Sequence, residues 1–329
     1  MDITSIFSNQ RVLITGGLGF IGSNLARRLV DLGAVVTLVD NLDPDSGANR
    51  FNISEIKDTV RIIQADISDD RQMSDVVREQ KFLFNLAGQA SHVGSMQDPL
   101  KDLEVNGLGQ LKLLQVCRFE NPGIRIVYAG TRQVYGRPSY LPVDEKHLLT
   151  PLDYNGVSKH AGEMYHIVAN RIYGMWTSVL RMTNVYGPRM RVKDDRLTFI
   201  GWWFHQLLEG MDLQVYGDGT QVRDLNYVDD VVDALLLCAV HPSARGNIYN
   251  LGGEPVSLLG LAHLMVEVYG SGRYALIPFP ENRERIDIGD YFGDYRLIQT
   301  DLGWQPHVAL REGIAKSLDF YSQNRKRYW

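Results

Sequence analysis

Short apolar segments typical of buried strands alternate with longer segments of helical spacing through the first half of the chain. The predicted strands cover residues 12–14, 35–39, 60–64, 82–86, 125–129 and 177–181. The predicted helices between them cover residues 20–32, 69–78, 99–118 and 155–171. This alternation predicts a parallel, doubly wound sheet with right-handed crossovers, in which ligands bind at the carboxyl ends of the strands.

A glycine-rich segment separates the first predicted strand from the first helix, and an acidic residue ends the second strand. Gly16, Gly19 and Gly22 are suited to a tight turn, to close approach of a pyrophosphate and to close packing of helix and strand. The pyrophosphate would then lie at a helix N-terminus, where free N–H groups favour an anion. Asp40 lies roughly 20 residues further on, where a carboxylate binds the ribose hydroxyls and repels a 2′-phosphate. The segment predicts NAD rather than NADP, and a glycine-rich turn without a cofactor is the alternative.

The ends of the later strands supply further candidates for cofactor contact. Asp66 follows the third predicted strand and either binds the adenine amino group or caps the next turn; for the helix itself, Ser68 and Asp69 are both candidate caps. Small residues follow the fourth strand, as expected where the backbone passes beside a cofactor. The predicted cofactor contacts from strand ends are Gly16, Gly19, Phe20, Ile21, Gly22, Asp40, Asn41, Asp66, Ile67, Leu86, Ala87 and Gly88.

The regular alternation ends near residue 182, where a long polar loop suggests a substrate site. A helix and a strand over residues 228–239 and 246–251 are predicted to return to the sheet, and further helices cover 199–208, 258–269 and 310–324. The predicted fold is α/β, a Rossmann-type doubly wound parallel sheet with a smaller α/β C-terminal substrate lobe. The NAD-binding domain would span residues 1–181 with the returning segment 222–252, and the lobe would span 182–221 and 253–329.

Composition narrows the class of protein. The chain of 329 residues is 44% hydrophobic and 22% charged, as in a globular protein, and its net charge of −5 argues against a nucleic-acid partner. The two cysteines, Cys117 and Cys238, lie in apolar helical patterns and are expected to be core thiols rather than a disulfide or metal pair. No metal site, signal peptide or membrane span is expected, and a cytoplasmic location follows from this pattern.

With these motifs in view, the chain resembles the extended short-chain dehydrogenase/reductase family, specifically its nucleotide-sugar epimerases and dehydratases. The resemblance covers nearly the whole chain. It is carried by GGLGFIG at 16–22, NLAGQASHVGS at 85–95, VYAGTRQVYG at 127–136, NGVSKHAGE at 155–163, RMTNVYGPR at 181–189 and VRDLNYVDD at 222–230. A weaker likeness near residues 201–203 and 217–224 points to CDP-tyvelose 2-epimerase.

The resemblance implies a redox centre of Ser or Thr with Tyr and Lys, and this sequence departs from it. Thr131 and Lys159 match two of the three positions, and Lys159 would also position the cofactor ribose, but the tyrosine position four residues before Lys159 is Asn155. Tyr154 lies one residue earlier, which on a helix rotates its side chain well away from that of Lys159. Tyr154 could replace the family tyrosine if it lies in a loop before the helix. Asn155 can form hydrogen bonds but cannot accept a proton at neutral pH. A displaced base, substrate-assisted chemistry and loss of redox activity all remain open.

The resemblance also implies positions that contact the substrate. Dehydratases of the family carry an Asp-Glu pair directly after the threonine, whereas this chain has Arg132 and Gln133, which favours an epimerase. His92 lies near the expected sugar position, with a structural role as its ordinary interpretation. The predicted substrate contacts are His92, Arg132, Gln133, Asn184, Arg223 and Arg285, with Arg283 as the alternative to Arg285.

Taken together, the sequence predicts an NAD-dependent nucleotide-sugar epimerase that oxidises and re-reduces one ring carbon. A dehydratase or oxidoreductase on a similar substrate is the second hypothesis, and a nucleotide-binding homologue that has lost catalysis is the third. The helices predicted at 99–118 and 155–171 carry more apolar surface than one sheet face can cover, and the family resemblance implies that they pair in a two-fold homodimer.

Overall fold

A seven-stranded, wholly parallel sheet forms the centre of the protein, whose computed structural model describes residues 3–329. The strands, in chain order, are β1 (Arg11–Thr15), β2 (Val35–Asp40), β3 (Arg61–Gln64), β4 (Phe82–Asn85), β5 (Arg125–Thr131), β6 (Trp176–Met182) and β7 (Ile248–Asn250). They lie side by side in the order β7-β6-β5-β4-β1-β2-β3. The order reverses between β1 and β4, which is the place where such sheets open a crevice for a ligand. The predicted Rossmann-type α/β fold is confirmed.

Helices cover both faces of this sheet because its strands are apolar on both sides. Along β1, Val12 and Ile14 pack into one hydrophobic cluster while Leu13, pointing the other way, packs into another. The α-helices of the described chain are Ile3–Phe7, Phe20–Asp31, Asp70–Val77, His92–Gln97, Pro99–Leu103, Gly109–Glu120, Tyr154–Tyr173, Phe199–Leu208, Val228–Val240, Leu258–Tyr269, Glu281–Glu284, Arg296–Leu302 and Leu310–Tyr328. Short 3₁₀ turns occur at Arg50–Ile53, Arg132–Tyr135 and Pro242–Ala244. Among residues 3–329, no helix is long and apolar enough to cross a bilayer.

The predicted helix over residues 99–118 is present but changes from α-helical to π-helical geometry for one turn. A π-helical turn, Glu104–Leu108, separates Pro99–Leu103 from Gly109–Glu120. The side chain of Gln110 donates to the backbone oxygens of Val105 (3.2 Å) and Ala87 (3.1 Å), which satisfies carbonyl groups around the widened turn. Such turns are common beside functional sites. This one lies against the loop that follows β4.

A second group of elements follows β6. Its strands form three two-stranded sheets: Asn184–Tyr186 with Leu225–Tyr227, Val222–Arg223 with Val256–Ser257, and Leu213–Tyr216 with Tyr274–Ile277. They share an aromatic-rich core with the helices Phe199–Leu208, Leu258–Tyr269 and Leu310–Tyr328. The helix Val228–Val240 instead packs on the central sheet, against β5 and β6. The division of the chain into two domains stays a prediction.

Both cysteines are buried free thiols in the core, and burial raises the pKa of each to about 12. They have no thiolate character at neutral pH, so they contribute packing rather than chemistry.

Candidate active site

The glycine loop after β1 has no room for side chains. Gly16 has a φ of +66°, a conformation that favours glycine, and a Cβ on Gly22 would lie 2.2 Å from the backbone oxygen of Gly16. The helix Phe20–Asp31 begins directly behind the loop, and its N-cap, Gly19, offers no side chain to its N–H groups. The helix start therefore keeps the donors that would bind a pyrophosphate.

Asp40 is anchored to this loop. One carboxylate oxygen accepts a hydrogen bond from the backbone N–H of Leu18 (3.0 Å) and the other from that of Leu42 (2.9 Å). Burial raises the pKa of Asp40 in spite of these two bonds. The carboxylate thus stands at the end of β2 in fixed orientation, beside the space that a dinucleotide ribose would enter.

A cavity of about 670 Å³ opens at the carboxyl ends of the strands. Its lining includes all the cofactor contacts predicted from strand ends: Gly16, Gly19, Phe20, Ile21, Gly22, Asp40, Asn41, Asp66, Ile67, Leu86, Ala87 and Gly88. The size lies within the roughly 300–1,000 Å³ of small-molecule and cofactor sites. The structure therefore brings these residues together around one space that fits a dinucleotide.

Asp66 is committed to local hydrogen bonds. One oxygen accepts from the backbone N–H (2.9 Å) and the hydroxyl (2.7 Å) of Ser68, and the other accepts from the amide of Asn41 (2.9 Å). The N-cap of the next helix is Asp69, which accepts from the N–H of Gln72. Asp66 therefore braces the turn after β3 while its side chain lines the cavity.

We predict that Asp40 selects NAD over NADP. Asp40→Asn removes the charge at unchanged size, so NAD affinity should fall by about 10- to 100-fold, the usual worth of a hydrogen bond to a charged group, while NADP affinity falls less. Calorimetric titration of cofactor-free protein with each dinucleotide measures the gap, and the exposed Asp58→Asn serves as control. Equal affinity of the native protein for both cofactors would refute the role of Asp40.

Thr131 and Lys159 lie at the sheet end next to Ala129 and Gly88, which line the cavity of about 670 Å³, but neither Thr131 nor Lys159 lines it. Thr131 is the last residue of β5, and its hydroxyl caps the following 3₁₀ turn by accepting from the N–H of Gln133. Lys159 is buried, and its ammonium lies 3.4 Å from the backbone oxygen of Ala129. A Cβ on Gly88 would stand 2.6 Å from that ammonium, so the loop after β4 passes closely over Lys159. Burial lowers the pKa of Lys159 to about 8, against the opposing attraction of Asp102.

Asn155 is held in a buried polar network. Its side-chain N–H₂ donates to the backbone oxygen of Gln89 (2.8 Å) and to the carboxylate of Asp102 (3.0 Å), and Asp102 accepts a second bond from Asn106 (3.1 Å). Asn155 lines neither of the two cavities described here. Its amide fastens the helix Tyr154–Tyr173 to the short helix Pro99–Leu103 and to the loop after β4.

Tyr154 does not meet the condition under which it could replace the family tyrosine. It is the first residue of the helix rather than part of a preceding loop, and Asp153 is the N-cap. Its side chain is 49% exposed and lines neither cavity. Because Tyr154 and Lys159 are five residues apart on one helix, their side chains face different directions.

A second cavity, of about 220 Å³, adjoins the first and gathers most of the predicted substrate contacts. Its lining includes His92, Arg132, Gln133, Asn184, Arg223 and Arg283. The residues that line both cavities are Val93, Asp195, Arg196, Leu197, Thr198 and Arg283. A ligand in the smaller cavity would therefore meet a dinucleotide in the larger one.

Arg285 was the preferred contact from sequence, and the structure favours Arg283 instead. Arg285 is exposed and pairs with Glu281 one helical turn away. Arg283 points the other way and pairs with Asp195 at 2.7 Å, on the wall shared by the two cavities. Two residues on so short a helix face different directions, which the sequence alone could not resolve.

The guanidinium groups of buried Arg223 and half-buried Arg132 give the smaller cavity a cationic wall. Arg132 donates to the side-chain oxygen of Asn184 (3.0 Å) and stacks over the ring of Tyr291, and a second nitrogen of Arg132 is buried without a partner. Arg223 pairs with Asp287 at 3.0 Å, and burial together with the neighbouring Arg132 lowers the pKa of Arg223 to about 10. An unsatisfied cationic donor beside a like charge is a site for an anion.

His92 lies at the rim of this cavity, with one ring nitrogen 3.0 Å from the carboxylate of Asp153. Asp153, Gln89, Asp102 and Asn106 shape the site, although sequence analysis did not propose them. Asp153 could have been found, because an acid just before a predicted helix is a signal for an N-cap. Asp102 carried no such signal, since its burial depends on contacts between separate helices.

Comparisons with known proteins show the family of this chain. The model of the NAD dependent epimerase/dehydratase family matches residues 12–252. The UDP-glucose 4-epimerase of Mycolicibacterium smegmatis is 32% identical over 324 residues, covering 95% of this chain and 98% of that protein. The CDP-paratose 2-epimerase of Salmonella typhi is 30% identical over an alignment of 344 residues, covering 95% of this chain and 99% of that protein.

Solved structures show the same likeness. An epimerase from Methanothermobacter thermautotrophicus superimposes with a TM-score of 0.91 at 29% identity, over 99% of this chain and 96% of that one. The UDP-glucose 4-epimerase of Thermus thermophilus, solved with NAD, has a TM-score of 0.84 at 31% identity, over 95% of this chain and 99% of that one. The chain belongs to the NAD-dependent epimerase/dehydratase family, and NAD is its cofactor.

Proposed function

We propose that this protein is an NAD-dependent nucleotide-sugar epimerase, which oxidises one ring carbon of its substrate, lets the ketone turn in the site and reduces it from the other face. The observation that carries the proposal is the joined pair of cavities: a dinucleotide space that opens, through shared walls, into a smaller space lined by cationic side chains. Arg223, Arg283 and Asn184 suit the diphosphate of a nucleotide sugar. The sugar would then extend towards Thr131 and the cofactor.

Thr131 and Lys159 are candidates for two of the tasks that such a reaction needs. Bound NAD supplies a hydride acceptor that returns the hydride after the sugar has turned. The Thr131 hydroxyl would orient the reacting oxygen, and the Lys159 ammonium would bind the cofactor ribose and stabilise negative charge as the hydroxyl loses its proton.

An epimerase is favoured over a dehydratase by the residues after Thr131. Arg132 and Gln133 occupy the turn where a dehydratase would need a proton-transferring acid pair, and neither side chain can exchange protons at neutral pH. The buried bonds of Asn155 are compatible with a third function, binding without catalysis.

Incubation of the NAD-loaded protein with UDP-glucose, UDP-N-acetylglucosamine, dTDP-glucose and a CDP-linked hexose separates these functions. An epimerase converts one of these sugars to its epimer with transient NADH absorbance, as followed by chromatography and stopped flow. A dehydratase releases water and accumulates a keto sugar. Tight binding without NADH or product would favour the non-catalytic homologue.

We also propose a two-fold homodimer, based on an uncovered apolar surface. The helical run 99–120 and the helix Tyr154–Tyr173 pack side by side. Their outward faces expose Leu100, Leu103, Leu108, Val157, Val168 and Ile172. An apolar surface built from two neighbouring helices suits a self-complementary interface between two copies of this chain.

A charge in this surface should separate the two copies. In Ile172→Glu, a carboxylate replaces a side chain that is 68% exposed in the single chain and would be buried in the dimer, at a cost of several kcal/mol. Sedimentation velocity should show the native protein as a dimer at micromolar concentration and this variant as a monomer. Leu148→Glu, at a loop residue that is 72% exposed, is the matched control and should remain dimeric. A native monomer would contradict the interface.

A further inference from the structure

The site as described lacks a proton acceptor for the sugar hydroxyl. Asn155 occupies the position of the family tyrosine and is bonded to Asp102 and Gln89, while Tyr154 is exposed on the helix start. A hydride cannot leave a carbinol carbon unless the hydroxyl proton also leaves. A group with a suitable pKa must therefore face the place where the two cavities meet.

His92 stands at that junction. Its chain neighbours lie on either side of the boundary: Ser91 lines the cofactor cavity, His92 lines the substrate cavity, and Val93 lines both. The short helix His92–Gln97 is capped by Ser91 and is fastened to the helix Tyr154–Tyr173, since Ser95 Oγ accepts the backbone N–H of Asn155 (3.2 Å). The backbone of His92 is thus held in place from two sides.

Asp153 lies beside the imidazole ring of His92. Its Oδ2 lies 3.0 Å from Nδ1 of His92 and accepts from Gln133 Nε2 (2.9 Å), and its Oδ1 accepts from the N–H of Gly156 (2.7 Å). The carboxylate is fully buried and caps the N-terminus of the helix Tyr154–Tyr173, where the helix dipole favours a negative charge. Although burial alone raises the pKa of Asp153, its contacts with His92, Gly156 and Gln133 bring the pKa below the ordinary value.

A carboxylate beside Nδ1 determines which ring nitrogen carries the proton. In this structure Nδ1 lies 3.0 Å from Oδ2 of Asp153 without forming a hydrogen bond of ordinary geometry, and a turn of the ring would direct a proton on Nδ1 at that carboxylate. With the proton on Nδ1, Nε2 on the opposite side of the ring is the basic nitrogen. The same carboxylate stabilises the imidazolium that forms when Nε2 takes up a proton. This is the arrangement of an acid/base histidine with its positioning acid.

We propose that His92, positioned by Asp153, is the acid/base residue of this enzyme in place of the family tyrosine. The inference rests on the proposed epimerase function. In the oxidation step the substrate C–H bond breaks with hydride transfer to NAD, the O–H bond breaks with proton transfer to Nε2 of His92, and a C=O bond forms. In the reduction step the hydride returns to the opposite face of that carbon and Nε2 returns the proton to the oxygen, so the enzyme ends unchanged.

The first test is stopped-flow formation of NADH by the NAD-loaded protein with the four nucleotide sugars named above. His92→Gln should lower the oxidation rate by about 10²- to 10⁴-fold, while KM and NAD affinity stay near the native values. His263→Gln, at an exposed histidine of the helix Leu258–Tyr269, is the matched control and should have the native rate. In His92→Ala, added imidazole should restore part of the rate, a result that loss of a merely structural side chain would not give.

Asp153→Asn tests the positioning acid. Asparagine is also a good N-cap, so the helix start should survive, but its amide cannot accept the Nδ1 proton in the same way. The oxidation rate should fall by about 10³- to 10⁴-fold, as when a buried carboxylate behind a catalytic histidine is neutralised. Nitrogen-15 NMR of histidine-labelled protein should show unprotonated Nε2 for His92 in the native protein and a changed tautomer in Asp153→Asn.

The outcomes separate this inference from the proposed function. A native protein that oxidises sugar, with His92→Gln equally fast, overturns the role of His92 alone. So does loss of the rate in Tyr154→Phe with His92→Gln active, which would return the base to Tyr154. Protonated Nε2 in the native protein also overturns the role of His92. A native protein that oxidises none of the sugars overturns both the epimerase and its base.

Discussion

Lys159→Met should abolish sugar oxidation and, at the same time, make the protein more stable. The activity should fall by at least about 10²-fold, because Lys159 is the only buried lysine in residues 3–329 and no neutral side chain replaces its charge or the ribose contact proposed for it. Stopped-flow NADH formation measures this loss. Native turnover in the variant would remove Lys159 from the mechanism.

The gain in stability follows from the pKa of Lys159. Burial lowers the pKa from an ordinary 10.5 to about 8, so at neutral pH folding carries the cost of burying a cation, up to about 3 kcal/mol. Methionine has a similar shape and no charge, and the variant should therefore unfold at higher urea concentration. The loss of attraction between Lys159 and Asp102 offsets part of this gain.

The size of this gain in stability depends on pH in a defined window. Between about pH 8 and 10.5 the unfolded chain binds a proton at Lys159 that the native protein has released, so native stability rises with pH across this range. The variant lacks this contribution, and its advantage should shrink as the pH rises from 8 to 10.5. Urea titrations at pH 7 and pH 10 test this, and a constant advantage would contradict a buried, destabilised ammonium.

The sequence was sufficient to predict the features that depend on local pattern. The strand ends, the glycine loop and Asp40 were predicted because period, turn chemistry and chain order alone determine where they lie. All the strand-end residues predicted to contact the cofactor meet around one cavity, since parallel strands place their carboxyl ends at one edge. This part of the site is a consequence of topology.

What could not be predicted depends on contacts between distant segments. The π-helical turn after Pro99 and the buried Asp102 arise from packing against the loop after β4 and against Asn155, which no window of sequence contains. The choice between Arg283 and Arg285 depends on the directions in which the side chains of a four-residue helix and its C-cap point. The contact between His92 and Asp153 joins two segments that are far apart in the sequence, with β5 between them.

The same limit applied to Tyr154. A spacing argument predicted that it could serve only from a loop, but whether the helix begins at residue 154 or 155 depends on the cap. Asp153 accepts the N–H of Gly156 and so places Tyr154 inside the first turn. The N-cap residue Asp153 therefore decides where the helix begins, and the carboxylate of Asp153 also lies beside His92.

Disruption of the buried pair of Glu163 and Arg181 should have the largest effect on stability. Arg181 on β6 donates from Nε to Glu163 (2.8 Å) and from a second nitrogen to the other carboxylate oxygen, and its third nitrogen donates to the hydroxyl of Tyr135 (2.6 Å). Tyr135 in turn donates to Asn250 on β7 (2.7 Å), so the network ties the helix Tyr154–Tyr173 to the edge of the sheet. Arg181→Met would leave a buried carboxylate with one weak partner, His160, and should destabilise the protein by about 3–5 kcal/mol.

A double-mutant cycle distinguishes the pair from simple loss of packing. Because the desolvation cost of both charges disappears together, Glu163→Leu combined with Arg181→Met should cost much less than the sum of the single changes. Although burial alone raises the pKa of Glu163, its bonds from Arg181 and the nearby His160 bring that pKa below the ordinary 4.5. The stability that the pair provides is therefore fully present above about pH 4.5 and is lost as the pH falls through the lower, folded-state pKa. Urea midpoints should show the native protein losing stability on acidification more steeply than the double variant, and additive single effects with parallel pH profiles would contradict a coupled ion pair.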